Sequence, residues 1–399
     1  MKLLTIRNNP EKYGSEGHVL RVAVGLAKRN WEVHAAFPHT PGMRDMVDAC
    51  RSHNVCLHQF GELQSASKVV LDSPLKRLIA TWRLVYKVKP DVVQITLGWP
   101  TEALSYVVAC ALMHVPLVLV FQLAPEVVPL PLYRKAVYHW ARRRRQSWFA
   151  VSAQNLEMLR QTFGVESDDV RILYNGADTD SPLASASDAE IASIRRSVRE
   201  ELNLPPESRI LLTTGRLSRQ KGYYELLEAI PSILAGGRAR HSHLKFLWAG
   251  TGEEMDALKD LVNKAGLQND VLFLGYRSDI PRLLTASDLF IFPTRAEGGC
   301  SSSIREAMVH STPIVSTFAG GIPEVIETGR QGLLVRHSEP GVFAEAVHWA
   351  LDHPKEMLQM AAAAKVRIQD FSTDRMITDY AAAFEETVTV QTLTSKAKT

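Results

Sequence analysis

The feature that most constrains this chain is an alternation of short apolar runs with amphipathic segments along nearly its whole length. Leu3–Ile6, Glu32–Phe37, Val92–Ile95 and Leu117–Phe121 read as strands, while His18–Lys28 and Leu75–Val88 carry helical periodicity. Such an alternation predicts parallel sheets covered by helices on both faces, whose strands are continuously apolar. The pattern blurs over Thr179–Ser208, where TDSPLASASDAE is small and polar. It resumes at Ile210–Thr214 and continues through LKFLWAG, VLFLG, DLFIFP and TPIVS. The expected fold class is therefore α/β, with two doubly wound domains at 1–180 and 205–374 and a boundary near 180–205. Ligands of such sheets bind at the carboxyl ends of the strands, which places the expected site in an interdomain cleft.

Length and composition agree. At roughly 100–200 residues per domain, 399 residues suit two domains. A chain that is 46% hydrophobic and 22% charged is neither disordered nor fibrous. Lys and Arg number 46 against 43 Asp and Glu, a net charge of +3, which argues against wholesale nucleic-acid binding. Cys50, Cys56, Cys110 and Cys300 show neither metal-ligand nor disulfide spacing, and MKLLTIRNNP lacks the apolar core of a signal peptide. A cytoplasmic protein is expected. Leu104–Ala124 is long and apolar enough to cross a bilayer, but Pro116 divides it. A buried helix followed by a buried strand accounts for both halves.

Three constellations carry candidate chemistry. In TTGRLSRQKGYYELLEAI a strand ends at Thr214, and Arg216 and Lys221 flank a short loop before a helix. Two cations beside a helix N-terminus suit a diphosphate, and equally a solvated basic loop. In FPTRAEGGCSSSIREAMVHSTPIVS a strand feeds a loop holding Glu297, Gly298, Gly299, Ser301 and Ser302 before a helix with Glu306. The glycines permit close backbone approach, and the helix start offers free N–H groups. Ser303 and Glu306 also have capping-box spacing, so Glu306 is either a helix cap or a ligand contact. Glu297 caps nothing evident. The third constellation is NNPEKYGSEGHVLRVAVGL, where Gly14 and Gly17 permit close approach. It is not a G-x-G-x-x-G dinucleotide fingerprint.

Taken together, G-R-L-x-x-x-K-G, LKFLWAGTGEE, FLGYRSDIP, the Glu-Gly loop before REAM, and GGIPEVI make the chain resemble a family 4 glycosyltransferase. The resemblance is strongest over about Arg209–Val335 and extends to YNGAD and AVSAQN. It implies the GT-B fold of two Rossmann-like domains, with a C-terminal helix at about 375–390 packing back on the first. It also implies retaining transfer of a sugar from a nucleotide-diphosphate donor, UDP favoured, to a glycan or lipid-linked acceptor in surface polysaccharide synthesis. By the same resemblance, Arg216 and Lys221 grip the diphosphate, Glu306 binds the ribose and Glu297 faces the sugar. Gly14 lies beneath the phosphates, and no metal or other cofactor is needed.

Two departures stand out. Eight residues separate Glu297 from Glu306 where the family has seven, so the loop bulges or Gly298 takes the acid position. Gln122 follows Leu117–Phe121 where the family places a histidine, and glutamine cannot exchange a proton at neutral pH. A nucleotide-sugar epimerase of the same fold, and a non-catalytic nucleotide-sugar-binding protein, remain as alternatives. Finally, Arg142, Arg143, Arg144 and Arg145 interleave with Tyr138, Trp140 and Trp148. The run suits an anionic membrane surface, making the protein a peripheral one, or else a solvated helix end. Nucleic acid finds no supporting patch elsewhere.

Overall fold

A computed structural model describes residues 1–7, 14–60, 63–64, 68–69, 74–124, 126–166, 169–238, 243–336 and 339–396. The chain forms two compact units, Met1–Gly176 with Thr373–Thr399, and Ala177–Ser372. The first runs β1 (Lys2–Ile6), α1 (Gly14–Lys28), β2 (Glu32–Phe37), α2 (Arg44–Ser52), β3 (Cys56–Gln59), a two-stranded hairpin β4 (Leu63–Gln64) and β5 (Lys68–Val69), and α3 (Pro74–Val88). It continues with β6 (Val92–Leu97), α4 (Leu104–Met113), β7 (Leu117–Phe121), α5 (Leu132–Arg142), β8 (Gln146–Ala150), α6 (Ala153–Phe163) and β9 (Val170–Ile172). Its sheet is parallel throughout, in the order β3-β2-β1-β6-β7-β8-β9.

The central strands β6 and β7 are buried at every position, as crossover helices on both faces require. Leu117, Leu119 and Phe121 face a core built with α3, α4, α5 and α6, while Val118 and Val120 face one built with α1 and α2. The apolar stretch from Leu104 resolves into α4 and β7, separated by His114 in the left-handed region at φ 54°. Among the described residues no helix is long and apolar enough to cross a membrane.

The second unit runs α7 (Asp188–Glu201), β10 (Arg209–Thr214), α8 (Tyr223–Arg238), β11 (Leu244–Ala249), α9 (Met255–Lys264), β12 (Val271–Gly275), α10 (Ile280–Ala286) and β13 (Leu289–Phe292). It continues with α11 (Ser302–Val309), β14 (Ile314–Thr317), α12 (Ile322–Val325), β15 (Leu333–Val335), α13 (Pro340–Asp352) and α14 (Pro354–Arg367). Its sheet is also parallel, β12-β11-β10-β13-β14-β15. The polar stretch expected to be a boundary at 180–205 is not one, because the division falls at Gly176 and α7 belongs to the second unit. A Ser187–Glu190 capping box starts α7. Arg199 then anchors it through Ser208 O at 2.8 Å and Asp288 Oδ2 at 3.1 Å.

The last helix, α15 (Thr373–Lys396), belongs to the first unit and completes its second face with Met376, Ile377, Tyr380 and Phe384. Gly25 of α1 makes the fit. A Cβ there would lie 2.1 Å from Ile377 Cδ1, so a larger residue forces the Ile377 side chain out of its present place against α1.

Candidate functional site

Two glycines shape the exits of β10 and β11. Gly215 has φ 141° and Gly250 φ 151°, and a Cβ on Gly250 would lie 1.9 Å from Gly215 O. The two exit loops are zipped together by Leu217 N donating to Thr251 O and Glu254 N donating to Leu217 O, each at 3.0 Å. Arg216 is exposed on this loop. A short 3-10 turn, Arg219–Lys221, follows, and Gly222 at φ 74° ends it against Pro293.

That turn is laced to the loop after β13. Arg295 N donates to Gln220 O at 2.8 Å, and Gln220 Nε2 donates to Ala296 O at 2.7 Å. The lacing brings Lys221 Nζ to 2.5 Å from Glu297 Oε1, with both side chains mostly buried. Thr294 Oγ1 donates to the same oxygen at 2.9 Å, and Lys221 also lies 5.3 Å from the centre of the Phe292 ring. Glu297 therefore has a structural partner that its sequence context did not reveal. Gly320, at φ 54°, brings the A-G-G-I-P turn onto the Glu297 backbone, since a Cβ there would meet Glu297 O at 2.3 Å.

Beyond Glu297 the chain passes through buried Gly298 and Gly299 to Ser301, which is the N-cap of α11. Ser302 is the first helical residue, and Ser303 spends its hydroxyl on Thr214 O at 3.1 Å. The helix thus starts too early for a box between Ser303 and Glu306, and the capping reading of Glu306 fails. Glu306 is half-buried in the second turn. Arg305 Nη1 donates to Cys300 O at 2.7 Å and secures the loop. Desolvation pushes the Cys300 thiol up to about 12, so it carries no thiolate at neutral pH. Sequence reasoning also passed over Arg219, which stacks 4.7 Å above Tyr224 and pairs with Glu254 at 3.4 Å.

In the first unit, Gln122 follows β7 and Asn175 follows β9. Their amides pair reciprocally, Asn175 Nδ2 to Gln122 Oε1 at 2.8 Å and Gln122 Nε2 to Asn175 Oδ1 at 3.4 Å. The A-V-S-A-Q-N motif supports this corner. Ser152 caps α6 by accepting from Asn155 N, and the Asn155 amide, oriented as its neighbours require, bridges Phe121 O and Ala124 N. Gly14 opens α1, and the rest of its loop, residues 8–13, lies outside the described residues.

The arginine run ends α5. Arg142 pairs with Asp169, Arg144 stacks 4.4 Å above Trp140, and Arg145 donates to His114 O at 3.3 Å, while Arg143 has no such role among the described residues. Among the described residues, no three His, Cys, Asp or Glu side chains converge as metal ligands.

Residues 208–353 match the family model described as Glycosyl transferases group 1, and residues 13–181 that described as Glycosyltransferase Family 4. An uncharacterized glycosyltransferase of Methanocaldococcus jannaschii is 29% identical over 204 residues, which is 51% of this chain and 49% of that protein. Spore coat protein SA of Bacillus subtilis is 34% identical over 163 residues, 39% of this chain and 42% of that protein. The chain thus spans less than half the length of these curated relatives. The crystal structure of Anabaena HepE in complex with UDP and glucose superposes with a TM-score of 0.78 over 97% of this chain and 100% of that one, at 21% identity. At that identity the likeness is one of fold.

Proposed function

The chain belongs to the family 4 glycosyltransferases of GT-B fold, and on that premise we propose that it moves a hexose-type sugar, with retention, from a UDP-sugar to a glycan or lipid-linked acceptor. The observation that carries this reading is the laced pair of loops that sets Lys221, Arg216 and the start of α11 at the carboxyl end of the second sheet. As the bond from the sugar C1 to the diphosphate oxygen lengthens, negative charge grows on the leaving nucleoside diphosphate. Fixed cations and helix N-terminal N–H groups are worth most at that moment. Glu306, with no capping role to fill, receives the ribose hydroxyls, and Glu297 faces the sugar.

Gln122 cannot act as a base. In this reading it positions a hydroxyl through its amide, already oriented by Asn175, and the acceptor proton goes to a donor phosphate oxygen. The cations leave no task for a metal, so EDTA is expected to leave turnover unchanged. The setting we assign is the cytoplasmic side of surface-polysaccharide synthesis, with peripheral contact to the membrane.

Thermal-shift measurements with a panel of UDP-, GDP- and ADP-sugars test the donor, because a ligand of the folded state alone raises the melting point. Release of UDP that depends on an added acceptor supports transfer. Sugar isomerisation without UDP release points to an epimerase, and binding without either reaction to a non-catalytic protein.

A further inference from the structure

The outward face of a domain helix is ordinarily polar, and that of α3 is not. Leu75, Ile79, Trp82 and Tyr86 are 65, 40, 40 and 70% exposed. Their spacing of i, i+4, i+7 and i+11 sets them in one stripe roughly 60° wide and about 16 Å long. Thr81, Leu84, Val85 and Val88 turn the opposite side inward, so the stripe takes no part in the core. Lys76, Arg83 and Lys87, also exposed, run alongside the stripe on one flank. From position 73 to 90 the chain carries five basic residues and no acidic one. Next to α3 in the same helical layer lie α4 and then α5, whose first residues Leu132 and Tyr133 are 85 and 66% exposed.

We propose that α3 docks the first domain on an anionic lipid surface. It lies in the plane of the headgroups, with the Leu75–Tyr86 stripe toward the acyl chains and the cation row at the lipid phosphates. Charge decides the occupant. An apolar patch on a protein partner accounts for the stripe but gives the one-sided cation row nothing to meet. A second copy sets like charges near one another. Anionic lipid satisfies both rows at once, and an aromatic pair such as Trp82 and Tyr86 suits the headgroup depth. The inference deepens the membrane contact assigned above and moves it from the arginine run, which is largely spent on local partners, to α3. It does not depend on the donor chemistry.

Co-sedimentation of the full chain with phosphatidylcholine vesicles, with and without phosphatidylglycerol, provides the test. The wild type is expected to bind only the vesicles with phosphatidylglycerol, and less as salt rises. The variants Trp82→Ser/Tyr86→Ser and Lys76→Gln/Arg83→Gln/Lys87→Gln should each bind at least tenfold more weakly. Replacing Arg142–Arg145 with glutamine should cost less than threefold. Brominated acyl chains should quench part of the wild-type tryptophan emission, and Trp82→Phe should bind normally yet lose that part. UDP binding by the same preparations checks that the variants are folded and tests the donor reading separately. The proposal is overturned if the wild type ignores anionic vesicles at low salt, if the α3 variants bind as well as it does, or if the stripe instead drives a concentration-dependent dimer that Trp82→Ser abolishes.

Discussion

Lys221 and Glu297 form one unit. The ammonium donates to Glu297 Oε1 at 2.5 Å, and Thr294 Oγ1 donates to the same oxygen at 2.9 Å. A cation and an acid that belong to two separate sequence motifs therefore share their charge before any donor arrives.

The first prediction follows from that sharing. Lys221→Ala should lower donor turnover at least tenfold, because a charge-assisted contact is worth about 1.5–3 kcal/mol. Glu297→Gln should lower transfer yet tighten UDP, since it releases the cation toward the diphosphate. The double variant should lose less than the product of the single losses, the signature of contacting residues. Strictly multiplicative losses would show that the two side chains act apart.

Glu306 supplies the second. With the N-cap position of α11 at Ser301, Glu306→Gln breaks no capping box and, as a charge-to-amide change of equal size at a half-buried site, should lower the melting temperature by no more than a few degrees. It should weaken UDP about tenfold, the loss of one charged hydrogen bond. Calorimetry that finds UDP affinity unchanged takes Glu306 out of the site.

Gly222 supplies the third. Its φ is 74°, and a Cβ there would lie 1.9 Å from Pro293 O, so alanine forces the 3-10 turn off the β13 loop. Gly222→Ala should cost on the order of 2–4 kcal/mol of stability, combining backbone strain with a clash. It should also weaken UDP-sugar binding through the displaced Lys221. Near wild-type unfolding in denaturant with normal donor affinity would refute the lacing as a positioning device.

The fourth concerns pH. Burial, with Lys365 adding repulsion, pushes the His310 imidazole down from 6.5 to about 4. In the unfolded chain the ring takes up its proton near 6.5, whereas the folded chain resists until about 4. Within that window the unfolded state binds more protons, so the folded state loses stability as pH falls. His310→Asn should flatten that part of the wild-type profile and leave stability above pH 7 with no added slope. Parallel profiles for the two proteins between pH 4 and 6.5 would contradict the shift.

Much of the fold is legible in the residues. Continuous apolar runs such as LVLVF announce strands buried on both faces, because parallel sheets leave no polar side to show. The loops around Arg216, Lys221 and Glu297 are visible because glycines and charges interrupt those runs. The short strands β3, β9 and β15 are not, since three or four residues carry no period. The pairing of Lys221 with Glu297 joins positions 76 residues apart and leaves no local trace. The same holds for Gln122 with Asn175. The start of α11 is ambiguous by a residue or two because three serines in succession can each cap a helix, and only the buried acceptor Thr214 O selects Ser303 for another task. The division at Gly176 is hidden because composition marks where chain is polar, not where contacts change hands.

The return of α15 to the first unit has a consequence for synthesis on the ribosome. The first unit closes one face of its sheet with Tyr380 and Phe384, which emerge only after the whole of 177–372 has been made. At about 5–20 residues per second, those roughly 200 residues impose a delay of some 10–40 s, during which Gly25 and its neighbours on α1 stay uncovered. All seven strands of the first sheet are made before residue 177, yet the helical cover over one of its faces is completed only after the second unit. A frameshift or stop codon just before Thr373 therefore strips the amino-terminal domain of that cover, although the lesion lies at the far end of the chain.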